Sequence, residues 1–133
     1  MKEDPITRIR VDELLRFLPL LNKADKELEA KWQALGAGPD KEPYPVYPPV
    51  VVDFFRLAGQ PCWNDYEYKP EVAAGMVQSD EAIAAASLPE IKTMLTFCVR
   101  GERFCDGHWG ALTRGGRIEA ILRRLEQLRE SIE

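Results

Sequence analysis

Apolar residues recur at spacings of three and four along most of this chain, and prolines and glycines cut the pattern into short lengths. That spacing puts side chains on one face of an α-helix, because 3.6 residues per turn bring such positions together. The clearest run is the last, where Ile118, Ile121, Leu122, Leu125, Leu128 and Ile132 form a narrow stripe along a helix expected over Arg117–Ser131. Short helices are marginal alone in water and become stable by burying such a stripe against neighbours. The 133 residues are enough for one real core. The expected fold is all-α: a compact, single-domain bundle of about six or seven helices.

The breaks set the boundaries. Val11, Leu14, Leu15, Leu18 and Leu21 predict a first helix over 11–22, which Pro19 should kink or end one turn early. Residues 1–10 are read as a flexible lead. Leu28, Trp32 and Leu35 predict a second helix near Lys23–Leu35, stopped by Gly36-Ala37-Gly38-Pro39. Residues 36–49 form a Gly/Pro-rich connection. In it Pro39, Pro43, Pro45, Pro48 and Pro49 alternate with Tyr44, Val46 and Tyr47, which favours an extended arm laid over the core above a ligand for a proline-recognition domain. Helices follow over Pro49–Ala58, Pro70–Val77 and Asp80–Ala86, with the polar-aromatic stretch Cys62–Tyr68 as loop. Ser87 and Glu90 have capping-box spacing, in which each side chain accepts from the other's backbone N–H. The helix they start carries Ile91, Met94, Leu95 and Cys98 on one face and runs to Gly101. Asp106 is placed to cap a short helix through His108, Trp109 and Leu112, closed by Gly115-Gly116.

Charge excludes some classes. The net charge is -4, too acidic to track a phosphate backbone by charge alone, so nucleic acid is disfavoured. All seven lysines precede residue 96 and the last third uses only arginine, a bias that suits pairing with carboxylates through a planar fork of donors. The apolar runs Val50–Val52 and Phe17–Leu21 are far too short to cross a membrane. Met1–Pro5 has no signal-like character, which places the chain in the cytoplasm. Three cysteines, Cys62, Cys98 and Cys105, are read as reduced thiols rather than a disulfide framework.

The one concentrated chemical feature is Arg100-Gly101-Glu102-Arg103-Phe104-Cys105-Asp106-Gly107-His108-Trp109. Arg100 and Arg103 are three apart and share a helical face, able to converge on a carboxylate or phosphate. The structural alternative pairs them with Asp65, Glu67, Asp106 or helix-end carbonyls. His108, the only histidine, invites a general-base role, and Cys105 or Asp106 would be its partner in catalysis. Cys62, Cys98, Cys105 and His108 contain the right donors for zinc, but the spacing does not match a paired knuckle, and neither a metal nor a cofactor is predicted. Trp63, Tyr66 and Tyr68, interleaved with Asp65 and Glu67, offer an aromatic wall for a ligand or a stack on arginine; the simpler reading makes them core-edge aromatics with wet polar tips. The ligand-binding candidates are thus Arg100, Arg103, Trp63, Asp65, Tyr66 and Trp109. The stripe over 117–132 suits either the chain's own core or a homodimer seam.

The same segment, preceded by Ile91-Lys92-Thr93-Met94-Leu95-Thr96, resembles the signature of a bacterial family catalogued as domain of unknown function 6508. Trp63-Asn64-Asp65-Tyr66-Glu67-Tyr68 is similar to its second motif, and Gly116-Arg117-Ile118 through Leu125 to its closing helix. The likeness spans roughly residues 46 to 128 and implies one intracellular domain with no assigned activity. Two functions remain open. One is a binding or regulatory module that recognises a protein or small anionic ligand through the Arg/aromatic segment. The other is a small enzyme using His108 with Asp106 or Cys105 on an anionic substrate held by Arg100 and Arg103.

Overall fold

The computed structural model describes residues 5–21, 31–34, 43–102 and 108–132. Helix α1 is Arg8–Leu15, entered at Thr7, whose side chain accepts from the Arg10 amide. It thus begins three residues before the expected 11–22 span, and residues 8–10 are helical rather than part of a flexible lead. Its end lies one turn ahead of Pro19, as steric clash of the proline ring with the preceding turn requires. Turns then carry Phe17 and Leu21 into the core.

Strands β1 (Lys31–Ala34) and β2 (Pro43–Val46) pair antiparallel, Lys31 opposite Val46 and Ala34 opposite Pro43. Residues 31–34 are therefore strand, not the end of the helix expected over Lys23–Leu35; the rest of that span lies outside the described residues. Three apolar positions at helical spacing were a thin signal, and pairing with the extended segment Pro43–Val46 overrides it. Pro43 and Pro45 have no N–H, so in β2 only Tyr44 and Val46 retain a donor. The hairpin is a small addition to an all-α fold.

Six more helices follow: α2 (Pro49–Ala58), α3 (Pro70–Val77), α4 (Asp80–Ala84), α5 (Leu88–Gly101), α6 (His108–Arg114) and α7 (Arg117–Leu128). Short 3₁₀ turns occupy Pro61–Trp63 and Arg129–Ser131. Ser87 and Glu90 make both bonds of the capping box at the start of α5. Between α6 and α7, Gly116 turns the chain with φ 74°, a left-handed conformation that costs a side-chain-bearing residue through its Cβ.

Helix α5 packs on α2, α3, α6 and α7, and α7 also packs on α1, α4 and α6. Between them lies one cluster in which Trp63, Phe54, Phe55, Leu14, Ile91, Met94, Leu95, Ile121 and Leu122 are all fully buried. Ile118, Ile121, Leu122 and Leu125 are 0% exposed, so the last helix's stripe is used in the chain's own core. The arginine bias of the last third becomes a set of clasps. Arg117 reaches Asp80 at 2.6 Å, Arg124 donates to the Ala86 carbonyl at 2.9 Å, and Arg129 forks onto both Asp12 oxygens at 2.6 and 3.0 Å. The Arg129 hydrogen bond holds the Asp12 carboxyl below its usual pKa. Among the described residues no helix is long and apolar enough to cross a membrane.

Candidate functional site

At the described ends of the Arg100–Trp109 segment, Arg100–Glu102 and His108–Trp109, two helices complete each other's ends. A helix leaves its last four carbonyls and first four amides without intrahelical partners. At the end of α5, the Trp109 indole N–H lies 3.1 Å from the Cys98 carbonyl and 3.2 Å from that of Val99. At the start of α6, the Glu102 carboxylate accepts from the Trp109 amide at 2.8 Å. The same Glu102 oxygen accepts from the Tyr47 hydroxyl at 2.9 Å, and that hydroxyl accepts from the Gly110 amide at 3.3 Å. The Trp109 ring stacks on Phe55, centroids 4.5 Å apart and planes 5° from parallel, with Tyr47 tilted beside it at 5.5 Å. Asp106, expected as the cap of this helix, lies outside the described residues.

His108 folds back onto α5. Its ring meets Phe97 edge to face at 5.1 Å, and a Cβ built on Gly101 would overlap the imidazole. Only glycine leaves room for the ring there. His108 Nε2 is buried without a hydrogen-bond partner. Burial lowers the pKa from 6.5, while the charge of Glu102 and the Phe97 backbone oppose that. The folded state thus disfavours the imidazolium, and the unfolded chain binds the proton more readily. Its contribution to stability is complete above pH 6.5 and is lost as pH falls from there through the folded-state value. An NMR titration of this single histidine is expected to give a pKa below 6.5 in the folded protein and a normal value in urea. A folded value at or above the normal one would contradict this placement.

A pocket of about 240 Å³ lies between the loop after α2 and the C-terminal half of α5, lined by Gly59, Asn64, Tyr66, Thr96, Val99 and Arg100 among others. Arg100 is exposed. Its guanidinium stands 5.3 Å above the Tyr68 ring and donates to Asn64 Oδ1 at 3.4 Å. Neither Asp65 nor Glu67 pairs with it, and Asp106, the other acid considered for it, lies outside the described residues. Asp65 is otherwise engaged, accepting from the Glu67 amide at 3.0 Å and the Thr93 hydroxyl at 2.7 Å. The loop is fastened by the buried Thr96, whose hydroxyl accepts from the Asp65 amide and donates to the Lys92 carbonyl, both at 2.8 Å.

The candidate residues therefore separate. Arg100 and Tyr66, the latter 63% exposed, share this pocket. Asp65 lines a different hollow with Pro89, Lys92 and Thr93. Trp63, expected at the core edge, is fully buried with its indole N–H unpartnered. Trp109 lines a neighbouring apolar pocket of about 580 Å³ with Val52, Phe55 and Val99. His108 lines neither pocket. Arg103 and Cys105 lie outside the described residues. Cys98 is buried among apolar side chains, which pushes its thiol up to about 12 and keeps it protonated at neutral pH. Among the described residues no three His, Cys, Asp or Glu side chains gather as a metal site would need.

Residues 6–131 match the family of unknown function DUF6508. The chain belongs to that family. The match reaches well before the 46–128 span that carried the sequence resemblance and takes in α1. No curated protein and no solved structure matches the chain. In this DUF6508 chain the residues that sequence reasoning missed are Glu102, Tyr47 and Asn64. Glu102 had no local signal, since it ends α5 and stands six residues before α6. Tyr47 and Asn64 had none either, because only folding brings them to α6 and Arg100.

Proposed function

We propose that this chain is a binding or regulatory module that grips an anionic group, carboxylate or phosphate, of a protein or small-molecule partner at Arg100. One observation carries the reading. Arg100 is an exposed guanidinium at a pocket, engaged only by Asn64 and the Tyr68 face, with no carboxylate on it among the described residues. A guanidinium has five donors in a fixed fork, so most remain for a ligand. Tyr68 beneath and Asn64 beside it hold that fork in place before binding, which lowers the ordering cost. No comparable observation favours acid–base chemistry at His108, whose ring is packed on Gly101 and Phe97. The buried free thiol of Cys98 suits a reducing compartment, and we place the module in the cytoplasm.

Titration with succinate and with inorganic phosphate, followed by amide NMR shifts, tests this. Saturable shifts at Asn64, Tyr66 and Arg100 are expected for at least one anion, weakened about tenfold or more in Arg100→Ala and partly restored in Arg100→Lys. Because Arg100 is exposed, the variants should keep stability within about 0.5 kcal/mol. Shifts that are absent for both anions, or unchanged in Arg100→Ala, would refute the reading.

A further inference from the structure

The Arg100 pocket does not end at Val99. Gly59 and Val99 line both it and the apolar pocket beside Trp109, so the two form one surface cleft with Gly59 at its waist. One end presents Arg100, Asn64 and Tyr66. The other presents Val52, 43% exposed, with Phe55 and Trp109. Val52 and Tyr66 are two of the five large hydrophobic residues exposed among those described, and both lie on this cleft.

Charge selects the occupant. Among the described residues the charged side chains lining the cleft are Arg100, Arg56 and Glu102. Glu102 is committed to the Trp109 amide and Tyr47 hydroxyl. Arg56 pairs with Asp53 at 3.2 Å with its side chain 72% exposed, an ion pair of little net strength in water. Glu102 keeps its charge but lies at the Trp109 end; at the Asn64–Tyr66 end the one charged side chain among the described residues is the cation Arg100. The hollow beside Trp109 is open at the surface, whereas small-molecule sites usually enclose most of their ligand. An extended chain lying across the waist fits better.

We propose that this cleft receives an extended acidic–apolar peptide segment of a partner protein, a carboxylate on Arg100 and an apolar side chain against Val52, Phe55 and Trp109. The inference rests on Arg100 as an anion site and adds the class of partner. Arg100 supplies orientation and specificity, and the aromatic end supplies buried area.

The test uses blocked peptides, acetyl-Glu-(Ala)n-Phe-amide with zero to three alanines, titrated into the full chain and followed by amide NMR. At least one spacing is expected to give saturable shifts at both Arg100 and Trp109. Glu→Gln or Phe→Ala in the peptide should each weaken binding about tenfold, as should Arg100→Ala and Val52→Asp in the protein. Val52 is exposed near the start of α2, where an acid is tolerated, so that variant should fold. If succinate or phosphate binds at Arg100 but no peptide does, or if Phe→Ala and Val52→Asp change nothing, the peptide cleft is overturned and the anion site survives. If neither the anions nor the peptides bind, both readings fall.

Discussion

Trp109→Ala is expected to destabilise the fold by about 3 kcal/mol, more than any change confined to the candidate pocket. Three losses combine. The indole leaves its parallel stack on Phe55, the half-buried ring area is exposed, and the Cys98 and Val99 carbonyls lose the donor that completes α5. Trp109→Phe separates these contributions. It keeps most of the stack and loses the N–H, so about 1 kcal/mol is expected, the size of one ordinary hydrogen bond. Urea unfolding of the three proteins should rank wild type above Phe and Phe above Ala. A Phe variant as unstable as the Ala variant would mean that the donor, not the ring, holds the junction. A variant with Ala that loses less than about 1 kcal/mol would mean that neither does.

Gly101→Ala should change sign with its background. A glycine in a helix costs up to about 1 kcal/mol relative to alanine, so the substitution would ordinarily stabilise α5. Here the added Cβ falls on the His108 ring, which must leave its place against Phe97 to make room. Overpacking of that kind costs about 1–3 kcal/mol. In the wild-type background the net expectation is a loss of about 1–2 kcal/mol, as the overpacking cost exceeds the helix gain. With His108→Ala the obstacle is gone, and the same change should be neutral or stabilising by up to about 1 kcal/mol. The double-mutant cycle isolates this coupling. Additive effects in the cycle would show that the ring and Gly101 do not meet as placed.

These two results bear on how the family signature is read. Much of Arg100–Trp109 describes a helix junction: Gly101 leaves room for His108, Glu102 accepts from the amide of Trp109, and Trp109 caps α5. A short motif rich in charge and aromatics need not be a site. Its residues are also those that two closely apposed helix ends require. Arg100 differs from its neighbours because its guanidinium is exposed at a pocket and, among the described residues, carries no carboxylate.

By itself the sequence determined the helices whose signals are local. The Ser87–Glu90 box, the prolines opening α2 and α3, and the stripe from Ile118 to Leu125 each act within one or two turns of chain, and each stands where its residues predict. The apolar spacing also identified most of α7's buried face, because a helix's periodicity is independent of what it packs against. Tertiary structure decided the rest. Residues 31–34 became strand because the next described segment, 43–46, pairs with them. Trp63 went fully inside and Tyr66 stayed out, although both belong to one short aromatic loop, since only the position of α5 distinguishes them. Arg100 was left to Asn64 and Tyr68 because Thr93 and the Glu67 amide had already taken Asp65. Which acid meets which base depends on where folding sets the elements, and that no local pattern encodes.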